Sequence, residues 1–184
     1  MKLKVNIPDG WHEVSIGDFM EISQLDAKSK DYIFNVLSVL LDVDVQTVKN
    51  FSKESFDKIL NSLEWALKSP SETEYKQVIS VDGIEHRLVE NLNGFTGGEW
   101  WDMEEYIANY DSNIHNIIAM IYKPLDQKVY DSEVTKQRGE LFAKKLNIGD
   151  VYGATVFFSN VEKKFTMNIV DSLANMTQKQ TKKK

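Results

Sequence analysis

Three histidines, a cluster of acids and a group of glycines are the residues of this sequence whose chemistry would be catalytic or ligating. His12, His86 and His115 stand far apart, and none sits in an HExxH or similarly spaced metal motif. They read as surface or structural histidines. Glu99, Asp102, Glu104 and Glu105 could supply paired carboxylates for general acid–base work. They also open a helix, where acids favour the positive end of the helix dipole, and that reading fits them better. Gly94, Gly97 and Gly98 look like a phosphate loop, but no GxxxxGK[ST] or GxGxxG pattern is present and Glu99 would repel a phosphate. A turn followed by a helix start is the plainer reading. Asp42 and Asp44 could touch a cation, yet Ca²⁺ takes about six to eight oxygens and no EF-hand loop follows; helix capping suits them better. No GxSxG nucleophile elbow occurs. The expectation is a non-enzymatic protein with no catalytic residue, metal or cofactor.

The aromatic residues point elsewhere. Trp100 and Trp101 are adjacent, and neighbouring helical residues point about 100° apart, so the two do not serve one face. One is expected in the core and the other at a contact, since tryptophan is enriched among interface hot spots. Tyr106 and Tyr122, with Tyr110 and Tyr130, add aromatic surface nearby. Trp100, Trp101, Tyr106 and Tyr122 are therefore the expected protein interface. Lys179, Lys182, Lys183 and Lys184 form a basic tail at residues 177–184. That tail reads first as a solvated end and second as a contact for phosphates or an acidic partner.

These residues sit in a chain of 184 residues with a net charge of −6 and 42% hydrophobic content. The tail's four lysines lift a body of −10 to that −6, and an acidic body does not favour nonspecific nucleic-acid binding. No apolar run long enough to span a membrane is present, and no apolar signal core follows the basic N-terminus. The absence of cysteine excludes disulfides and thiolate zinc sites, and it fits synthesis in a cytoplasm.

The periodicities predict a mainly α protein with small β elements (α+β). Leu3, Val5 and Ile7 alternate as in a short strand. Ser15 opens a helix from Ile16 to about Leu25, and Tyr32 to Leu41 reads as a buried helix. Asp44 and Ser52 cap two more. Tyr75–Val81, Asp82-Gly83 and Ile84–Leu88 make a hairpin. Thr96 and Glu99 match a capping box for a helix over Gly97–Asn109, and another runs from Asn113 to Tyr122 before Pro124. Asp131 or Ser132 starts a helix to about Leu146. Asp150–Asn175 is the longest helical candidate, its first turns weakened by Gly153.

A repeat at an offset of 81 organises the first 125 residues. Val14-Ser15-Ile16-Gly17-Asp18-Phe19-Met20-Glu21-Ile22 resembles Phe95-Thr96-Gly97-Gly98-Glu99-Trp100-Trp101-Asp102-Met103. Ile33, Val36, Leu37 and Leu40 fall on Ile114, Ile117, Ile118 and Ile121, and Leu3, Ile7 and Trp11 fall on Ile84, Leu88 and Leu92. Each unit is strand, turn, capped short helix and buried helix, too small to be stable alone. The expected organisation is one globular unit over residues 1–176. Its repeats cover about 1–70 and 83–125, its C-terminal helices 131–176, and a basic tail follows at 177–184.

The segment from Ile7-Pro8-Asp9-Gly10-Trp11-His12 to Phe19 resembles the opening of small proteins of tailed phages of gut Bacteroidales, the crAss-like phages among them. Gly98-Glu99-Trp100 and Ile118-Ala119-Met120-Ile121-Tyr122-Lys123-Pro124 are similar to the same group. The resemblance implies a virion structural protein near the portal, neck or tail. Its partners would be other phage structural proteins and copies of itself, with no membrane, and nucleic acid only through the lysine tail. It would be located in the virion and, during assembly, in the host cytoplasm. An assembly chaperone absent from the mature particle is the alternative.

Overall fold

A computed structural model describes residues 5–89 and 94–158. Its centre is a helix that no single neighbour can cover. In α6 (Tyr110–Ile121), residues 116–121 are all buried, Ile117, Ile118, Ala119 and Ile121 completely. Six consecutive residues at about 100° per step point in every direction around a helix, so α6 must be enclosed. It packs against α5 (Gly97–Ala108), α7 (Ser132–Lys145) and α1 (Ile16–Ser23). At its C-terminus it passes directly into β3 (Tyr122–Pro124).

The remaining elements are held by local signals. Ser15 Oγ accepts the Asp18 N–H at 3.0 Å and starts α1. The buried helix α2 (Tyr32–Leu41) ends where Asp42 takes a left-handed conformation, φ 50°. Asp44 caps α3 (Val45–Lys49) through the Thr47 N–H, and Ser52 caps α4 (Lys53–Ser62) through the Ser55 N–H. The hairpin of β1 (Val78–Val81) and β2 (Ile84–Leu88) turns on Asp82 and Gly83, both at positive φ, the geometry that suits the right-handed twist of paired strands. The sheet is antiparallel in the order β1-β2-β3, with Leu88 opposite Tyr122 and His86 opposite Pro124.

Several expectations require correction. Leu3 lies outside the described residues, and Val5 and Ile7 lie in a stretch, 5–8, without regular structure. Pro8 offers no N–H to a ladder, and the chain turns at once into a 3-10 turn at Trp11–Glu13. The pair of helices expected with a break over 110–112 is separated only at Asn109, φ −125° and ψ 53°. β3 was not anticipated, because a continuous apolar run carries no period that separates helix from strand. The long C-terminal helix begins after a 3-10 turn (Ile148–Asp150) and is helical over 152–158; 159–175 lie outside the described residues. At the offset of 81, the capped starts Ile16 and Gly97 coincide, while the second helices begin at Tyr32 and Tyr110.

The C-terminal elements close the fold over the first half. Ile16 N–H donates to the Leu146 carbonyl at 3.0 Å and Ile148 N–H to the Val14 carbonyl at 2.9 Å. Two indoles reinforce this clamp on the N-terminal turn. Trp11 Nε1 donates to the Lys68 carbonyl at 2.7 Å and Trp65 Nε1 to the Pro8 carbonyl at 3.1 Å. Their rings meet edge to face at 5.0 Å, and Trp11 also meets Phe19 at 5.4 Å. Gly153, read from sequence as a weak point, permits a close approach, since a Cβ there would lie 2.7 Å from the Glu74 carbonyl oxygen.

α7 crosses α6 at Gly139, where a Cβ would fall 3.3 Å from Asn116 Cα and 2.5 Å from its Oδ1. Helix propensity alone favours alanine there by about 1 kcal/mol, but overpacking a close crossing costs about 1–3 kcal/mol. Gly139→Ala is therefore expected to lower the urea midpoint at unchanged m-value. A raised midpoint would mean that the two helices have room to spare.

Candidate functional site

Three of the four acids that might have formed a catalytic group are engaged in hydrogen bonds. Glu99, 3% exposed, closes the capping box of α5: its Oε2 accepts the Thr96 N–H at 2.7 Å, and its Oε1 pairs with Lys123 Nζ. Asp102 accepts the Tyr130 hydroxyl, and Glu104 Oε1 accepts Trp100 Nε1–H at 2.8 Å. Glu105 is exposed. Gly97 and Gly98 are the first turn of α5, capped by Thr96 and Glu99. Asp44 caps α3 and also accepts the Thr47 hydroxyl at 2.5 Å, and these hydrogen bonds hold its carboxyl below the usual value. Together with Asp18, Glu21 and Asp42 it rims an open polar recess.

The histidines separate into one exposed and two enclosed. Among the described residues, Asp9, His12 and Glu13 bring three ligand-type atoms within 4.8 Å of one another. All three are exposed, and the turn satisfies itself: His12 Nε2 lies 3.0 Å from Asp9 Oδ1, and Glu13 Oε2 accepts the Asp9 N–H at 2.9 Å. His86 is buried, with Nδ1 3.0 Å from the Ile84 carbonyl and its ring edge-on to Phe142 at 4.9 Å. Burial, and then the Arg138 guanidinium, push its pKa below the ordinary 6.5. His115 is pushed down as well, again by burial.

The four aromatic residues expected at an interface do not act together. Tyr106 and Tyr122 belong to the core, at 4% and 0% exposed. Tyr122 sits in β3 under the sheet and its hydroxyl donates to the Lys76 carbonyl at 2.5 Å, so neither ring is presented to a partner. Tyr122 is internal because β3 turns the chain inward after α6, and Tyr106 because it shares the buried face of α5 with Glu99 and Met103. Trp100 is half-buried against its own helix. Trp101 is 71% exposed, so the two indoles diverge as adjacent helical positions must. Tyr110 is also internal, hydrogen-bonded to Thr155 at 2.6 Å and pushed up to about 12 by burial. Lys179, Lys182, Lys183 and Lys184 lie outside the described residues.

A second apolar surface went unnoticed in the sequence. An open groove of about 280 Å³ lies between α2, α4 and the 3-10 turn Glu64–Leu67. Ile33, Val36 and Leu37 form one wall, Leu60 and Leu63 the other, and Leu67, 87% exposed, stands at its lip. Glu64 is the one charged residue in the lining. The sequence reads Tyr32–Leu41 as a wholly buried helix, and the groove leaves part of that face open. The groove exists because α2 is apolar on more faces than its neighbours cover.

No helix among the described residues is long and apolar enough to cross a membrane. Comparison with protein-family models, curated proteins and solved structures gives no match.

Two outcomes follow from these placements. Tyr122→Phe is expected to cost about 1 kcal/mol, because the hydrogen bond from its hydroxyl to the Lys76 carbonyl is lost. Trp101→Ala is expected to stay within about 0.5 kcal/mol. Urea denaturation of both variants checks the contrast. For the histidines, the unfolded chain binds protons that buried His86 and His115 resist, so stability rises with pH between their lowered values and 6.5. The melting temperature should therefore fall as the pH is taken from about 7 to about 5, and His86→Gln should flatten that slope. An unchanged slope in the variant would mean that His86 titrates alike folded and unfolded.

Proposed function

We propose that this chain is a non-enzymatic structural protein of a bacteriophage virion, seated near the portal, neck or tail and working through protein–protein contacts. The observation that carries the reading is Trp101, a large apolar ring 71% exposed on a well-capped helix. A tryptophan so exposed contributes little to its own chain's core, and the residue type is enriched among interface hot spots. The similarity of residues 7–19 and 118–124 to small proteins of tailed phages supplies the setting, and the acids and histidines engaged in caps and packing suit a scaffold.

The test is quantitative mass spectrometry of purified particles of the phage that encodes the chain. Fixed stoichiometry relative to the portal protein is the expected result. Absence from particles together with abundance in infected-cell lysate would replace the structural reading with that of an assembly chaperone.

A further inference from the structure

Trp101 is the large apolar side chain left open on α5, and the exposed charges around it are mostly acidic. Glu104 and Glu105 stand three and four positions further on, on its side of the helix, and both are exposed. Tyr130 ties the stretch before α7 to α5, its hydroxyl donating to Asp102. That stretch and the first turn of α7 add exposed Asp126, Asp131 and Glu133. Against these five exposed acids stand two exposed bases, Lys128 and Lys136; Lys123 is paired with buried Glu99. Acids of α5 and α7 converge here, since burial, and then Asp102, Glu105 and Glu133, raise the pKa of the Tyr106 hydroxyl.

The chain carries a segment of the opposite charge. Residues 177–184 hold Lys179, Lys182, Lys183 and Lys184 and no acid. We propose that this lysine tail docks on the Trp101 face of its own chain. In the structural role proposed above, the tail then competes with the partner that this face receives, and this second step alone rests on that role.

Reach and chemistry agree. The described residues end at Phe158, one turn beyond a contact with the junction of α5 and α6, where Thr155 Oγ1 lies 2.6 Å from the Tyr110 hydroxyl. Trp101 lies about 10 Å from the Ala108 end of α5, at 1.5 Å per residue. Residues 159–178 precede the first lysine, and a chain of about twenty residues covers on the order of 25 Å even as a free coil. An ammonium is attracted to the face of an indole, the best of the aromatic acceptors, and Glu104 and Glu105 place negative charge beside it. Each exposed pair is weak, but a tethered segment acts at an effective concentration in the millimolar range, so a contact of millimolar affinity is populated.

The test is the indole N–H spectrum of the ¹⁵N-labelled full chain, with the Trp101 signal identified by its loss in Trp101→Phe. A full-length variant carrying Lys179→Gln, Lys182→Gln, Lys183→Gln and Lys184→Gln is expected to move that signal. It should leave those of Trp11 and Trp65, which are bonded to backbone carbonyls. Raising salt from about 0.1 to about 1 M, which shortens the Debye length from about 10 to about 3 Å, should move the wild-type signal the same way. A peptide of residues 177–184 added to the glutamine variant should return the signal toward its wild-type position, with a Kd on the order of 1 mM. Adding Glu104→Gln and Glu105→Gln to that variant should raise this Kd about five-fold, while glutamine keeps the oxygen that accepts Trp100 Nε1–H. A Trp101 signal indifferent to the four lysine substitutions would overturn the proposal. So would peptide shifts confined to Asp18, Glu21, Asp42 and Asp44, which would place the tail in the polar recess instead. Absence of the chain from purified particles would remove the competing partner and leave the tail contact as measured.

Discussion

The need to enclose α6 on every side governs the arrangement. A helix with one apolar stripe can lie on a surface, but six successive buried residues, 116–121, leave no face for water. α5 and α7 flank it, α1 covers a third side, and the sheet takes up its C-terminal end because α6 runs straight into β3. Enclosing the helix also buries the carbonyls of its last turn, which need donors. Arg138 supplies the Ala119 carbonyl oxygen, from Nε at 3.2 Å and Nη2 at 2.9 Å, with Nη1 on Gln127, while the Val89 N–H serves the Ile121 carbonyl at 2.8 Å. A cation at a helix C-terminus also meets the negative end of its dipole. The burial of α6 thus dictates both the Gly139 crossing and the arginine one residue before it.

The same enclosure governs the acid at the start of α5. Glu99 is almost fully buried, and a buried carboxylate is tolerated when hydrogen-bonded and paired. Its two partners come from opposite ends of the α5–α6–β3 segment: the Thr96 N–H at the start of α5 and Lys123 in β3. One side chain therefore terminates a helix and ties it to the strand at the far end of the next one. Lys123 also lies over the Phe95 ring at 4.5 Å, so the ammonium is held from two sides.

What could be read from the sequence divides along physical lines. The caps at Ser15, Asp44, Ser52 and Thr96 are legible because a cap is decided by residues within four positions, the one at Asp131 only to within a residue, and the turn at Asp82-Gly83 is equally local. β3 was not, because Tyr122 extends an unbroken apolar run and becomes a strand only when β2 is beside it. The Trp11–Trp65 pair was invisible for the same reason: each indole donates to a carbonyl 57 residues away. Of the four aromatics expected at a contact, Trp101 is exposed because position along a helix sets direction, whereas Tyr106 lies on the buried face of α5 and Tyr122 buries its ring while its hydroxyl donates to the Lys76 carbonyl.

That contrast bears on the tryptophans as a set. Trp11 and Trp65 spend their Nε1 donors on backbone carbonyls and their rings on each other, and Trp100 spends its donor on Glu104. These three have positions explained by the fold of a single chain. Trp101 does not, since replacing an exposed indole by a polar residue would cost this fold little. A groove lined by Val36, Leu37 and Leu60 poses the same question from the other side, because filling it with a bulkier residue of the chain's own would bury more apolar area. An uncovered knob and an unfilled hole on one chain are each unfavourable in water.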